Sequence, residues 1–157
     1  NNLKIVFICE NNGFSVYTDL ISRQPSNRKI FELAKSIGVK SSFSKGKNLQ
    51  DIYYKMKNAV DYVDKNKKPF FLEIKTTRWL EHCGPNDDSK LGYRSLKELE
   101  LWKKNDFLIQ VKSKLDKNSK TINKIENAIK LKVFKAFKFA EKSNFPNYKD
   151  LFKGIYE

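Results

Sequence analysis

Two short runs of apolar residues, one near the start of the chain and one near its middle, predict buried β-strands. Residues 3–9 are almost continuously apolar and lead into a polar segment over residues 10–13. This pattern is typical of a strand that is buried on both faces, as in a parallel sheet, and that ends in a loop. Residues 69–75 have the same character and predict a second strand.

Apolar residues spaced three and four positions apart predict helices between and after these strands. Asn48 suits the N-cap of one helix, and Ser95-Leu-Lys-Glu98 is a capping box that opens another. Gly38 is expected to end the first helix. The predicted helices cover residues 30–37, 49–63, 96–102 and 121–142. Helices that alternate with buried strands indicate the α/β class, with a mostly parallel sheet flanked by helices.

Length and composition are those of an ordinary globular chain. Its 157 residues are 39% hydrophobic, which is enough for one core at about 150 residues per domain. The two cysteines, Cys9 and Cys83, exclude a disulfide-rich scaffold and a cysteine-rich zinc module. No apolar run approaches the length of a membrane span or a signal-peptide core. We therefore predict one domain or part of one, in the cytoplasm and without membrane contact.

The chain is strongly basic, with a formal net charge of +14 at pH 7. Such a charge suggests an acidic partner, and nucleic acid is the first candidate. Arginine is the residue favoured for reading bases and clamping phosphates. Only four of the 32 basic residues are arginines, namely Arg23, Arg28, Arg78 and Arg94. We therefore predict a solvated lysine coat and no nucleic-acid partner, with a nucleic-acid-binding module as the alternative.

The polar segment after the first strand contains the first candidate site. Asn11 and Asn12 carry neutral side-chain oxygens that suit Mg²⁺, and Gly13 permits a tight turn. A backbone carbonyl just after the glycine would supply a second oxygen to the same ion. An Asn-Gly pair after a strand also occurs in plain turns, so this segment alone leaves both interpretations open.

A second candidate site lies in the long polar segment of residues 76–93, after the second strand. It contains the only histidine, His82, together with Arg78 and the adjacent carboxylates of Asp87 and Asp88. An imidazole and a fixed cation suit a diphosphate and a proton transfer, and either carboxylate is able to fold back on Arg78. A surface loop with an incidental ion pair is the alternative. Both polar segments follow the carboxyl ends of strands, where open α/β sheets place ligands.

Three segments of the chain resemble a known family. Ile5-Val-Phe-Ile-Cys-Glu-Asn-Asn-Gly-Phe14 resembles the second half of the thiamine-diphosphate signature in the alpha subunit of 2-oxo acid dehydrogenase first components, the pyruvate, branched-chain and acetoin dehydrogenases. Thr77-Arg-Trp-Leu-Glu-His82, followed by Asp87-Asp88 and Tyr93-Arg94, is similar to that family's histidine-bearing loop. The tail from Phe134 to Tyr156 is similar to its carboxyl end. The match covers nearly the whole chain in the family's order.

The resemblance implies a thiamine-diphosphate-binding fold that carries out the oxidative decarboxylation of a 2-oxo acid and passes the acyl group to a lipoyl-type acceptor. It implies thiamine diphosphate and magnesium as cofactors. The Asn12 side chain and the Phe14 main-chain carbonyl would ligate magnesium, and Gly13 would belong to the same cofactor-binding segment. His82 would contact the diphosphate as the catalytic residue, and Arg78 would order its loop.

The resemblance also implies partner chains. In the family, a beta subunit supplies the glutamate that activates the aminopyrimidine ring of the cofactor. A second alpha subunit completes a heterotetramer, and a lipoyl-bearing acyltransferase is the expected further partner.

The chain departs from the family pattern in two places. Many relatives have His-Gly-His-Ser where this chain has Leu80-Glu-His-Cys83, so regulation by phosphorylation of that serine is not expected. The Gly-Asp-Gly that opens the family signature does not occur before Asn11, and the chain starts with Asn1-Asn2. We therefore expect residues 1–157 to be the carboxyl-terminal part of one thiamine-diphosphate-binding dehydrogenase domain, with the first half missing. A non-catalytic relative that keeps the fold as an assembly subunit is the alternative.

Overall fold

The structure, a computed structural model, describes residues 3–115 and 120–155. Asn1, Asn2 and Tyr156, named above, lie outside these residues. The chain divides into two compact units, residues 1–111 and residues 112–157. The expectation that the chain is part of one domain stays a prediction.

Three strands come first, helices and strands then alternate up to residue 75, and the described elements after it are helical. Two short 3₁₀ helices, Ser89–Leu91 and Tyr148–Phe152, lie within the later part. In chain order the other elements are β1 (Val6–Asn11), β2 (Phe14–Ser15), β3 (Thr18–Asp19), α1 (Ile30–Ser36), β4 (Lys40–Ser44), α2 (Leu49–Asn66), β5 (Phe70–Lys75), α3 (Leu96–Lys104), α4 (Phe107–Lys114) and α5 (Lys120–Lys142).

The main sheet is parallel, as the sequence predicts. Its three strands lie in the order β1-β5-β4, so the strand that comes last in the chain lies in the centre. Phe70 of β5 is in register with Val6 of β1 and with Lys40 of β4. The two-stranded sheet of β2 and β3 is an antiparallel hairpin. The α/β class and the parallel sheet flanked by helices are therefore confirmed.

The core of the first unit lies between α2 and β5. Ala59 and Val63 of α2 and Phe70 and Leu72 of β5 are all buried and form one cluster. Asn48 caps α2 as predicted, because its side chain accepts a hydrogen bond from the backbone N–H of Gln50 at 2.8 Å. The cap and the apolar stripe together fix α2 on one face of the sheet.

β1 differs from its predicted bounds and burial. It covers Val6–Asn11 rather than residues 3–9, and the prediction that it is buried on both faces is wrong. Phe7 and Ile8 are each 48% exposed. In the part of the chain that the structure describes, β1 pairs only with β5 and lies at the edge of the sheet. The buried strand is β5, because it has a neighbour on each side.

Some elements carry too little periodic signal for prediction. β4 is Lys-Ser-Ser-Phe-Ser, with Phe43 as its one large apolar residue. It is held by tertiary contacts, such as the hydrogen bond that Ser44 Oγ donates to Asp51 Oδ2 at 2.6 Å. The predicted helix over residues 30–37 forms, but it ends at Ser36 and leaves Ile37 79% exposed, although its spacing places it on the apolar stripe. Gly38 adopts φ +84° just after the helix, as its role as a stop requires.

The second unit is built on α5. Its bounds, Lys120–Lys142, agree with the predicted helix over residues 121–142. Ile122 of its apolar stripe is partly buried, and four other members are more than half exposed: Ile125, Ile129, Val133 and Phe137. None of the described helices combines the length and apolar character needed to cross a bilayer.

Candidate active site

The two polar segments picked out in the sequence leave the same edge of the sheet. β1 and β5 are parallel neighbours, and their last residues, Asn11 and Lys75, are in register. The backbone N–H of Thr76 continues the ladder by donating to the Asn11 carbonyl at 3.0 Å. Residues 11–20 and residues 76–94, which we call the asparagine loop and the histidine loop, therefore start side by side.

The asparagine loop is shaped by its own two amide side chains. Asn11 Oδ1 accepts a hydrogen bond from the backbone N–H of Gly13, and Asn12 Oδ1 accepts one from the backbone N–H of Phe14, both at 2.9 Å. Gly13 adopts φ +80°, a left-handed conformation that suits glycine. The predicted tight turn is therefore confirmed, and it consists of two successive turns closed by asparagine side chains.

The carbonyl of Phe14 points away from the hairpin. Leu20 donates its backbone N–H to the Gly13 carbonyl at 2.8 Å, so Gly13 faces β3 in the ladder. Directions alternate along an antiparallel strand. Phe14, which is opposite Asp19, therefore directs its N–H and C=O to the other side, where its N–H meets Asn12 Oδ1. The Asn12 amide oxygen and the Phe14 carbonyl oxygen consequently lie on the same side of the loop.

A buried glutamate supports the asparagine loop from below. Glu73, in the middle of β5, is only 4% exposed. One of its carboxylate oxygens accepts a hydrogen bond from Asn11 Nδ2 at 2.7 Å, and the other accepts one from the backbone N–H of Phe31 in α1 at 2.9 Å. Glu73 is not among the predicted site residues, although an acidic residue flanked by apolar residues inside a strand is a signal that could have identified it.

The histidine loop is organised around Arg78. Its Nε donates to the Leu80 carbonyl at 2.7 Å, and its Nη1 lies 3.3 Å from His82 Nδ1. Its Nη2 donates to the hydroxyl of Tyr93 at 3.2 Å. The structure places Arg78 and His82, the two candidate residues of this loop, in contact, and His82 itself is exposed.

Asp88 anchors the other end of the histidine loop. Its side chain is 2% exposed and forms an ion pair with Arg94, whose side chain is 7% exposed. Asp88 Oδ2 also accepts a hydrogen bond from the Tyr93 hydroxyl at 2.5 Å and lies 3.7 Å from Arg78 Nη2. Of the two carboxylates considered in the sequence, Asp88 folds back on Arg78. Asp87 instead accepts a hydrogen bond from the backbone N–H of Ser89 at 2.8 Å.

Arg94 closes the loop on itself. It donates through Nη1 to the Arg78 carbonyl and through Nη2 to the Trp79 carbonyl, the second at 3.3 Å. The backbone at the start of the loop is thus tied to an arginine at its end. The candidate set predicted from the sequence omits Arg94, although it stands in the motif that carries the family resemblance.

The electrostatics of this cluster keep Asp88 ionised. Burial would raise the pKa of Asp88, but the hydrogen bond from Tyr93 and the charges of Arg94 and Arg78 outweigh it, so the pKa lies below its ordinary value. Burial and the neighbouring Asp88 carboxylate raise the pKa of Tyr93. Tyr93 therefore remains a neutral donor to a charged acceptor.

Tyr93 also joins the two loops. Its ring meets the ring of Phe14 edge-on with centroids 5.4 Å apart, and it meets the ring of Tyr17 with centroids 5.1 Å apart. The residue whose hydroxyl binds Asp88 and Arg78 therefore packs on the hairpin that carries Asn12 and Phe14. The structure thus brings together, on one edge of the sheet, two loops that residues 21–75 separate in the sequence.

The chemistry of the oxygens in the asparagine loop suits a hard cation such as Mg²⁺. An amide oxygen and a backbone carbonyl oxygen on one side of the loop are ligands that Mg²⁺ accepts, usually together with phosphate oxygens and water. Among the described residues, no group of three or more His, Cys, Asp or Glu is placed to hold a metal. Asn12 and Phe14 fit part of a magnesium site, and the other ligands have to come from elsewhere.

A cavity of about 540 Å³ opens on the α1 side of the same sheet edge. Its polar lining includes Asn11 and Glu73, and Arg28, Lys29 and Lys75 add positive charge. Asn12 and His82 are not among its lining residues. The cavity is therefore next to the candidate magnesium ligands and does not contain them.

Comparison with known proteins points to the same family as the sequence motifs. A family model described as "Dehydrogenase E1 component" matches residues 1–149. The alpha subunits of the pyruvate dehydrogenase E1 component from Rickettsia bellii and Rickettsia felis are 32% and 34% identical to this chain, over 98% of the chain and 47% of each relative. The mitochondrial 2-oxoisovalerate dehydrogenase subunit alpha 2 of Arabidopsis thaliana is 25% identical over 98% of the chain and 33% of its own length.

The chain spans about half the length of these rickettsial relatives. The range matched by the family model includes both loops, the sheet that supports them and all of α5. The family model, the relatives and the parallel α/β sheet agree, and the chain belongs to the dehydrogenase E1 component family.

Proposed function

We propose that the chain forms part of the thiamine-diphosphate site in the alpha subunit of a 2-oxo acid dehydrogenase. The observation that carries the proposal is the packing of Tyr93 on Phe14. This contact holds the histidine loop against the segment whose oxygens suit Mg²⁺. Thiamine diphosphate needs both functions at once, a cation for its phosphates and an ordered loop over them.

Asn12 and Phe14 bind the cation in this proposal. The Asn12 amide oxygen and the Phe14 carbonyl are neutral, so the ion keeps most of its charge for the diphosphate. Gly13 lets the loop turn closely enough to present both oxygens on one side. When bound, thiamine diphosphate supplies the carbanion chemistry that decarboxylates a 2-oxo acid.

His82 and Arg78 would act on the diphosphate from the histidine loop. Arg78 Nη1 lies against His82 Nδ1 at 3.3 Å, which leaves Nε2 as the ring nitrogen available to a phosphate oxygen. The other bonds of Arg78, to Leu80 and Tyr93, hold its guanidinium in place. His82 therefore contacts the diphosphate as the catalytic residue, and Arg78 orients it and orders the loop.

Partner chains complete the site in this proposal. The relatives at 32% and 34% identity are named as subunit alpha of a pyruvate dehydrogenase E1 component, which supports assembly with other subunits. We propose a beta subunit and a second alpha subunit as these partners. A lipoyl-bearing acyltransferase would receive the acyl group. Asn12 and Phe14 would supply two neutral oxygens to the metal, and diphosphate oxygens, water or partner residues would complete its coordination. The substrate class is a 2-oxo acid, and the cellular location we propose is the cytoplasm.

Cofactor binding tests the proposal directly. Titration of the complete subunit, assembled with its partner chains, with thiamine diphosphate at several Mg²⁺ concentrations should show binding that depends on the metal. Asn12→Ala should weaken this binding by tenfold or more, because it removes one ligand of the ion. Asn66→Ala is the matched control, since Asn66 is an exposed asparagine at the end of α2.

Two results would count against the proposal. Binding that does not respond to Mg²⁺ would remove the role of Asn12 and Phe14. An Asn12→Ala variant that folds and binds the cofactor as well as Asn66→Ala does would remove the site itself, and the non-catalytic relative would become the better interpretation.

A further inference from the structure

We infer that Glu73 is a positioning residue, which sets the geometry of the asparagine loop by holding the Asn11 side chain. The inference rests on the proposed function, because it concerns how the magnesium ligands are placed. Glu73 lies outside the set of ligands themselves. It acts on them through Asn11.

Glu73 is a buried carboxylate whose hydrogen bonds offset the cost of its burial. Glu73 is 4% exposed in the centre of the sheet, where a carboxylate without hydrogen bonds would be strongly unfavourable. Both of its oxygens are occupied, one by Asn11 Nδ2 at 2.7 Å and one by the Phe31 N–H at 2.9 Å. Two donors that converge on one buried acceptor fix the position of all three groups.

The hydrogen bond to Glu73 fixes the orientation of the Asn11 amide. Because Nδ2 donates to Glu73, Oδ1 must point the other way, toward the N–H of Gly13, which it meets at 2.9 Å. A rotated amide would present an oxygen to the Glu73 carboxylate and an NH₂ group to the Gly13 N–H. Only one orientation of Asn11 therefore satisfies both neighbours.

Two successive turns connect Asn11 to the proposed metal ligands. The hydrogen bond from Gly13 to Asn11 closes the turn in which Gly13 adopts φ +80°. The next hydrogen bond, from Phe14 N–H to Asn12 Oδ1, orients the amide oxygen that would bind the ion in the proposed function. A change at Glu73 should thus displace the Asn12 and Phe14 oxygens without touching either of them.

The second oxygen of Glu73 makes the arrangement rigid. It binds the first turn of α1, and the Phe31 carbonyl in turn accepts a hydrogen bond from Ser41 Oγ of β4 at 2.7 Å. The ring of Phe31 stacks on the ring of Phe43 with centroids 5.6 Å apart. The asparagine loop is therefore tied through Glu73 to a helix and to the far strand of the sheet.

The test is a double-mutant cycle between Glu73 and Asn11 in the complete subunit assembled with its partner chains. Mn²⁺ affinity in the presence of thiamine diphosphate is measured by electron paramagnetic resonance. In Glu73→Gln the new side chain can accept only one of the two hydrogen bonds. The Mn²⁺ affinity should fall by about tenfold to hundredfold, as it does when a supporting hydrogen bond around a metal is lost. Asn11→Ala should weaken it by a similar factor. The double variant should bind Mn²⁺ no more weakly than Asn11→Ala, because Glu73 acts through Asn11.

A stability control separates positioning from general destabilisation. Ser44→Ala removes a different hydrogen bond, the one that Ser44 of β4, the strand next to β5, donates to Asp51 of α2. It should lower the thermal midpoint while leaving the Mn²⁺ affinity unchanged. If Glu73→Gln does not fold, Asn11→Ala still tests whether Asn11 positions the metal ligands, because Asn11 is partly exposed and its replacement is better tolerated. Unchanged Mn²⁺ affinity in Asn11→Ala would overturn the inference.

The remaining outcomes distinguish this inference from the proposed function. Asn12→Ala is included in the same series. If Asn12→Ala lowers the Mn²⁺ affinity and Glu73→Gln does not, the positioning role of Glu73 is wrong and the proposed magnesium site is retained. If Asn12→Ala has no effect, the proposed function fails and the inference fails with it. Additive losses in the double variant would show that Glu73 does not act through Asn11, which also overturns the inference.

Discussion

The ring of Tyr93 stands edge-on to the ring of Phe14, with centroids 5.4 Å apart and ring planes at 84°. Through its hydroxyl, the same Tyr93 binds Asp88 and Arg78. One side chain therefore joins the candidate magnesium ligands to the loop that carries His82. Separating its ring contact from its hydroxyl contacts shows what each contributes.

Tyr93→Phe should loosen the histidine loop and leave the asparagine loop in place. The variant keeps the ring on Phe14 but loses the hydrogen bond to the ionised Asp88, which is worth about 1.5–3 kcal/mol for a charged acceptor. Hydrogen exchange of the backbone amides over residues 76–94 should become faster, while exchange at Gly13 and Phe14 stays the same. Tyr93→Leu removes both the ring contact and the hydroxyl contacts, so hydrogen exchange should become faster in both loops. Equal exchange in the parent and in Tyr93→Phe would contradict this role.

Asp88→Asn should remove the acid sensitivity of the histidine loop. Because the pKa of Asp88 in the folded protein lies below its value of about 4 in an unfolded chain, its contribution is fully present above that value. The contribution is lost as the pH falls through the lower, folded pKa. The parent loop should therefore lose order below about pH 4, whereas Asp88→Asn should be less ordered at neutral pH and show no such loss.

Asp87→Asn is the matched control for that experiment. Asp87 is the adjacent, exposed carboxylate, and a hydrogen bond with Ser89 lowers its pKa as well. Exposed charges contribute little to stability, so this variant should keep both the order of the loop at neutral pH and its loss in acid. The rate of proteolysis of the histidine loop, measured as a function of pH, shows how ordered the loop is in each variant. Equal acid sensitivity in Asp88→Asn and the parent would assign the transition to another group.

His82→Ala should lower turnover more than it lowers cofactor affinity. A histidine that assists a proton transfer contributes about a hundredfold or more to a rate, whereas one contact to a diphosphate held also by a metal contributes less to binding. Turnover of the assembled enzyme and its affinity for thiamine diphosphate are measured side by side. Lys90→Ala, an exposed change in the same loop, should leave both unchanged. Unchanged turnover in His82→Ala would remove its catalytic assignment.

The parallel sheet and the two candidate loops were predictable because their signals are local. An apolar run predicts a strand, and the polar residues that follow it mark the end of the strand at residue 11 or residue 75. The partners of the loop residues were harder to assign. Asp87 and Asp88 are adjacent in the sequence, and only the path of the folded loop decides that Asp88 is buried with Arg94.

Glu73 shows where sequence reasoning fails. Its two partners are 62 and 42 positions away in the chain, so no local spacing links them. The burial of β1 failed for a related reason. The sequence pattern of an apolar strand is the same whether the strand lies at the centre or at the edge of a sheet. Only the strand order β1-β5-β4 shows that β1 is an edge strand.

The edge of β1 should govern the solubility of the 157-residue chain when it is prepared by itself. In the part of the chain that the structure describes, β1 has a partner on one side only, and its Phe7 and Ile8 are each 48% exposed. An apolar edge strand with unpaired backbone groups pairs readily with another copy. We expect the chain to aggregate with increasing concentration, despite its net charge of +14.

Ile8→Lys should reduce this aggregation, because a lysine on an edge strand opposes pairing with a second edge. Ile37→Lys is the matched control. Ile37 is 79% exposed and lies outside the sheet, just beyond α1, so its replacement adds the same charge without altering the edge. Light scattering as a function of concentration should fall for Ile8→Lys and remain close to the parent for Ile37→Lys. Equal improvement in both variants would mean that net charge, and not the β1 edge, limits solubility, and a monodisperse parent chain would show that the edge does not drive association.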